Sequence, residues 1–385
     1  MDTVIVVPAD IQFPLLTDWR VLAVVVPAAL LLLALARTIL HKYVRIMIAI
    51  LDDHAPVVEN GGNDGADLVG EEISFQAADG HPLEGVVITG DAPASPAGMI
   101  IFAHEFGSDR SSCKYYCRPL LQRGYDVFSF DFRGHGSSPA EPGYRPRQWP
   151  TDRECSDMLG AIACMESYLK ERGRVPCVGL FGPSRGACAA LLASVGVGSV
   201  RAIVTDGAFS SDATLEYLMK RFATIFARVR VVAANHPAVF WRFMRWMVFR
   251  ECRRRFNCDF PSVRKALVRL GRTPILFIHG EKDSCVPVGQ SQMLYKLARG
   301  PKELWVVRGA KHNQSILVDP DTYARKVIKF FNEYLPTSQS LAERAVPSSQ
   351  CRRSQRLLHA ASYHDVGLRV AGKHGPTAVP LSRGS

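Results

Sequence analysis

A serine hydroxyl is a weak nucleophile at neutral pH until an imidazole takes its proton. The imidazole serves best when a carboxylate holds it in one tautomer. Three residues of this chain could supply those groups: Ser184 in Gly182-Pro183-Ser184-Arg185-Gly186, Asp283 in Gly280-Glu281-Lys282-Asp283, and His312 in Gly309-Ala310-Lys311-His312-Asn313. A Gly-x-Ser-x-Gly pattern suits a serine held on a tight strand-to-helix turn, which only small neighbours permit. The pattern is weak by itself. Here an apolar run, 175–181, precedes it, and the small residues Ala187, Cys188, Ala189 and Ala190 follow. Each residue also has an ordinary reading: a helix N-cap for Ser184, a turn cap for Asp283 and a solvated loop position for His312. The N-cap reading leaves the flanking glycines unexplained. The chain order Ser, Asp, His belongs to one of three unrelated architectures that carry such a triad.

Elements able to position these residues alternate along the middle of the chain. Apolar runs predict strands at Ile73–Gln76, Gly85–Thr89, Met99–Ala103, Val127–Phe130, Val175–Phe181, Ala202–Thr205, Ile275–Ile278 and Leu304–Val307. Asp79-Gly80 between the first two signals a hairpin. Helical patterns fall near 110–123, 152–171, 185–195 and 320–335. Apolar strands separated by helices predict an α/β fold, with a mostly parallel sheet covered on both faces. Such sheets carry their chemistry at the carboxyl ends of the strands. Ser184, Asp283 and His312 all follow strand ends in this reading.

With those elements in place, residues 71–336 resemble the α/β-hydrolase superfamily, closest to its serine aminopeptidase and monoacylglycerol-lipase-like branch. The resemblance rests on His104 after the third strand, Asp131-Phe132-Arg133-Gly134-His135-Gly136-Ser137-Ser138 after the fourth, the Ser184 elbow, Asp283 and His312. It implies a hydrolase in which Ser184 attacks a carbonyl carbon, His312 takes its proton and Asp283 orients the imidazole. The implied oxyanion donors are the backbone N–H of Arg185 and one from the Glu105–Phe106 turn. Family members usually carry His-Gly after the third strand, whereas this chain reads His104-Glu105-Phe106-Gly107. A Glu105 carboxylate aimed at the oxyanion would oppose catalysis, while a backbone N–H from the same turn would serve. One rival is therefore a non-catalytic membrane-bound scaffold on a hydrolase fold. Another is a lipid acyltransferase, because His104 and Asp109 satisfy a His-x4-Asp pattern; that reading leaves the elbow, Asp283 and His312 without a role.

The chain has 385 residues, 47% hydrophobic and 22% charged, which excludes wholesale disorder and a disulfide miniprotein. Its ten cysteines show no repeating framework and read as thiols of a reducing compartment. Cys113 with Cys117, and Cys252 with Cys258, do not make a zinc site. No metal is expected, and with no Gly-rich phosphate loop after a strand, no nucleotide cofactor.

Residues 21–36 are uncharged and apolar between Arg20 and Arg37. With Leu15, Leu16, Ile39 and Leu40 the run approaches the roughly 20 residues that span a bilayer. Acids precede it, and Arg37, Lys42 and Arg45 follow, so the charge bias predicts a single-pass anchor with the remainder cytoplasmic. The alternative is a cleaved signal peptide ending near Ala34-Leu35-Ala36; the acidic region ahead of the apolar run argues against it. The organisation expected is an anchor and juxtamembrane helix over 1–53, a linker over 54–70, the hydrolase-like domain over 71–336 and a disordered basic tail over 337–385.

Of the formal net charge of +11, fourteen Lys/Arg against four acids lie in 212–272, where a lid insertion is expected. Within it, Arg242, Arg245, Arg250 and Arg253 share one side of a helix with Trp246 and Phe249. A basic helix with aromatics suits a membrane interface, or a lid whose arginines are merely solvated. The partners expected are a small-molecule ester, lipid or peptide substrate and the membrane, with no nucleic acid.

Overall fold

The computed structural model describes residues 19–52, 69–91, 97–226 and 237–335. Residues 1–18 of the expected anchor, with Leu15 and Leu16, most of the expected linker, the whole expected tail and residues 227–236 of the expected lid lie outside the described residues. The chain divides into two units, Met1–Asp53 and His54–Ser385.

The described part of the first unit is one helix, α1 (Trp19–Asp52), of 34 residues. At 1.5 Å per residue it is about 50 Å long, more than the roughly 30 Å of a bilayer core. By length and composition its stretch Trp19–Ala49 can cross a membrane. It passes through Pro27 without a break.

The second unit is built on eight strands: β1 (Glu71–Gln76), β2 (Pro82–Ile88), β3 (Gly98–Ala103), β4 (Tyr125–Phe130), β5 (Val178–Pro183), β6 (Val200–Asp206), β7 (Ile275–Gly280) and β8 (Lys302–Val307). Their spatial order is β1-β2-β4-β3-β5-β6-β7-β8. The β1/β2 and β2/β4 pairs are antiparallel, and all the others are parallel. Every residue of β4, β5 and β7 is buried, as two covered faces require. One face meets α2 (Cys113–Leu121) and α10 (Pro320–Tyr334), with Ile100, Phe102, Phe181, Val204 and Leu276 packed against Tyr116, Leu120, Val327 and Phe331. The other face meets α3 (Asp152–Glu171) and α4 (Ser184–Ala193).

Local chemistry sets the ends of these elements. The helix expected over 152–171 forms over that range because Thr151 and Glu154 close a capping box at its start. β5 begins at Val178 rather than at the expected Val175, since Pro176 has no N–H for the ladder. Between β6 and β7 lie α5 (Ser211–Phe226), α6 (Ala238–Phe256) and α7 (Val263–Arg269). Two helices not anticipated, α8 (Gly289–Leu297) and α9 (Ser315–Val318), follow β7 and β8.

Candidate active site

β5 passes into α4 at Ser184, whose φ of +48° is a left-handed conformation that few non-glycine residues adopt. The turn closes because its neighbours are small. A Cβ on Gly186 would lie 1.9 Å from the Ala103 carbonyl oxygen and 2.8 Å from that of His104. Backbone therefore touches backbone between the elbow and the end of β3. All ten residues of α4 are buried, so packing on every side holds the strained turn.

The two partners reach Ser184 from the ends of β7 and β8. Ser184 Oγ lies 2.9 Å from His312 Nε2, and His312 Nδ1 lies 2.6 Å from Asp283 Oδ2. The carboxylate accepts on its far side too: Oδ1 takes the N–H groups of Cys285 at 2.9 Å and Val286 at 2.7 Å. The turn-capping contacts of Asp283 thus coexist with its contact to His312, and the cap is what aims Oδ2 at His312. Burial raises the Asp283 pKa, but N–H donors from His279, His312 and Val286 outweigh it and hold the group well below the usual carboxylate range. With the acid ionised, Nδ1 of His312 carries the hydrogen and Nε2 is left to accept from Ser184. The Asp283 side chain is 1% exposed and that of His312 is 19% exposed, so solvent meets the row at its imidazole.

The turn after β3 is fixed by a histidine rather than served by one. His104 is wholly buried; its Nδ1 donates to Glu105 O at 2.7 Å and its Nε2 accepts the Phe132 N–H at 3.2 Å. Burial, with His135 and Arg185 nearby, keeps it neutral far below the ordinary histidine range. Both nitrogens being engaged by backbone, His104 has none left to act as the general base of an acyltransferase. Asp109 instead caps the short helix that follows, accepting from Ser111 N at 2.7 Å. The Glu105 side chain is buried and accepts the Ser112 hydroxyl at 3.3 Å, which turns it toward the start of α2.

Behind the elbow lies a buried charge network invisible in the motif. The Arg185 side chain is 0% exposed and faces Glu154, also 0% exposed, at 3.6 Å. Glu154 further accepts from Thr151 N, Thr151 Oγ1 and Tyr144 OH at 2.7–2.8 Å. Burial would raise its pKa, but Arg185 and these donors hold the carboxyl below the usual range. Arg185 also donates to His135 Nε2 at 3.1 Å and stacks on the rings of Phe106 and Phe132. Burial and this guanidinium push the His135 pKa down to about 4. Arg133, two residues into the Asp131–Ser138 segment, binds Asp79, Glu141 and Asp157 and so ties three segments together. Asp206, at the end of β6, accepts from Ser315 Oγ at 3.0 Å and Tyr323 OH at 3.2 Å.

In the insertion between β6 and β7, α6 buries Trp241, Met244, Val248, Cys252 and Phe256. Its opposite stripe exposes Val239, Arg242, Phe243, Trp246, Arg250, Arg253 and Arg254. Phe243 and Trp246 stack at 5.8 Å, with Arg250 over the Trp246 ring. The expected four-arginine face is partly neutralised, because Arg245 pairs with Glu216 and Arg253 with Asp259. Phe249, expected among them, instead stacks on Phe260.

A mostly parallel sheet that brings a hydroxyl, an imidazole and a carboxylate to one rim is the architecture of an α/β hydrolase. The model of the alpha/beta hydrolase family matches residues 100–326, and the chain belongs to that family. Among curated relatives, "Uncharacterized protein YqkD" of Bacillus subtilis (strain 168) is 24% identical over 262 residues, covering 66% of this chain and 77% of its own. "Uncharacterized protein YfhR" of Escherichia coli O157:H7 is 26% identical over 268 residues, covering 68% and 80%. Among solved structures, the Pyrococcus furiosus esterase Pf2001 is 23% identical, covers 71% of this chain and 95% of its own, and superposes with a TM-score of 0.52. At that identity the likeness speaks to the fold.

Proposed function

We propose that this chain is a membrane-tethered serine hydrolase that cleaves an ester or amide carbonyl through an acyl-enzyme on Ser184. The observation that carries the reading is the unbroken row from Ser184 Oγ through His312 to Asp283, at 2.9 and 2.6 Å, with the serine in a left-handed elbow. Ser184 Oγ attacks the carbonyl carbon as His312 Nε2 takes its proton, and Asp283 stabilises the imidazolium that forms. The tetrahedral oxyanion falls to the backbone N–H groups of Arg185 and Phe106. His104 supports Phe106 over Glu105 as the second donor. By fixing the Glu105 carbonyl at 2.7 Å, it turns the Phe106 N–H of the same trans peptide the opposite way. One such donor is worth about 3–4 kcal/mol. His312 then protonates the leaving group, the C–O or C–N bond breaks, and the acyl-enzyme remains. Water attacks it next as His312 again takes the proton; the bond from the acyl carbon to Ser184 Oγ then breaks, His312 returns the proton to Oγ, and the acid product leaves.

The Glu105 carboxylate accepts the Ser112 hydroxyl at the start of α2, which favours a catalyst over a scaffold. Helix α1 supports the tether, and Arg37, Lys42 and Arg45, which follow its apolar run, support a catalytic domain on the cytoplasmic side. The outer stripe of α6, with its stacked Phe243–Trp246 pair, supports a lid that rests on the bilayer interface. That places lipidic esters ahead of short peptides as substrates to try. A fluorophosphonate probe tests the chemistry: the full chain labels covalently and Ser184→Ala does not. Labelling that survives Ser184→Ala overturns the assignment.

A further inference from the structure

The carboxylate of the row has a second imidazole on it. His279, the last residue but one of β7, is wholly buried. Its Nε2 lies 2.8 Å from Val286 O and 3.4 Å from Asp283 Oδ2, the same oxygen that receives His312 Nδ1. A carbonyl and a carboxylate only accept, so Nε2 carries the hydrogen. Nδ1 lies 2.7 Å from Ser291 Oγ on α8, and that hydroxyl is 3.2 Å from Ala208 O, just past β6. Ser291 is itself wholly buried. One ring thereby joins the turn holding Asp283, the helix after it and the neighbouring strand end.

The next residue explains why this tie bears on His312. A Cβ on Gly280 would lie 2.5 Å from Ala310 O and 2.7 Å from Lys311 O, so the end of β7 presses on the loop that carries the imidazole. The two backbone N–H groups hold only Oδ1 of Asp283 and leave the two side-chain torsions free to move its far oxygen. His279 alone among the described side chains contacts both Oδ2 and the carbonyl of Val286, closing the turn on the side facing the row.

We propose that His279 is a positioning residue: its Nε2–H holds Oδ2 of Asp283 in line with His312 and so sets the rate at which Ser184 is acylated. This rests on the hydrolase reading above. A purely structural histidine would, when replaced, lower stability and leave the rate per folded molecule alone.

The test compares two polar replacements in the detergent-solubilised full chain. The amide nitrogen of His279→Gln reaches the place of Nε2. That of His279→Asn, one methylene shorter, reaches Ser291 but not Asp283. The readout is the second-order rate of fluorophosphonate labelling, corrected for the folded fraction from a thermal melt. His279→Asn is expected to label about 10–100-fold more slowly, the range for a side chain that orients a reacting group through one contact, and His279→Gln to stay within about threefold of wild type. On a p-nitrophenyl ester the loss falls on kcat, with KM unchanged. Equal rates for wild type and both variants overturn the inference, as does an equal loss in both. If His279→Asn does not fold, Ser291→Ala takes its place. It frees the ring from α8 and is expected to slow labelling at unchanged KM, so a wild-type rate overturns the inference. A wild-type chain that never labels overturns the hydrolase reading itself, a different result from labelling that is indifferent to residue 279.

Discussion

Replacing Asp283 by asparagine would set an amide among four groups that all donate: the N–H of Cys285, the N–H of Val286, and the imidazoles of His279 and His312. The amide oxygen has one good place, under the two backbone N–H groups at 2.9 and 2.7 Å. The NH2 then faces His312 Nδ1, which sits 2.6 Å from the present oxygen. To accept from it, the imidazole must move its own hydrogen to Nε2, the nitrogen meant to receive the Ser184 proton. The opposite flip loses two backbone hydrogen bonds, about 1 kcal/mol each, and sets N–H against N–H. The wrong tautomer therefore dominates. The equivalent change in well-studied triads costs about four powers of ten in rate, or about 5 kcal/mol. Fluorophosphonate labelling of full-length Asp283→Asn, normalised to folded protein by a thermal melt, is expected to fall by that factor while the melt shifts by only a few degrees. A rate within tenfold of wild type would refute the tautomer argument, and with it the role given to Asp283.

Gly186→Ala is expected to cost about 3 kcal/mol or more, since its Cβ would sit 1.9 Å from Ala103 O. Gly198→Ala, with nothing within 4 Å, is the control, and equal urea midpoints for the two would contradict the close-contact account. For the membrane reading, a reporter active only after export, fused after residue 335, should stay silent. Substituting Phe243 and Trp246 by serine should weaken the dependence of activity on anionic vesicles. A signal from the reporter, or an unchanged lipid dependence, would count against orientation and lid docking respectively.

How much of this was readable in the residues depends on range. The central strands were legible because a doubly covered strand must be apolar and breaks at Gly, Pro or charge, and the partly exposed β1 and β2 through the Asp79-Gly80 turn between them. Ser184, Asp283 and His312 were legible because each follows a strand end, and parallel strands bring such ends to one rim. What stayed hidden were partnerships between polar side chains far apart in the chain. His279 looked like one more residue of an apolar run, although the small Gly280 beside it hinted at close packing. Arg185 could be read only for its backbone N–H, and the burial of its guanidinium on Glu154 depends on α3 lying against α4. Arg133 likewise draws on Asp79, Glu141 and Asp157, which no local pattern connects. The lid was read as basic, but counting charges could not reveal that Glu216 and Asp259 answer two of its arginines.

Helix α4 turns no residue toward solvent, and apart from Arg185 small side chains fill its first two turns. Sequence drift in 184–193 therefore meets steric resistance at every step, whereas the outer stripe of α6 can change residue by residue without disturbing what lies beneath. Descendants that come to accept different molecules should diverge first in 211–269 and last in 184–193, and a mutant library meant to redirect this protein belongs on the former.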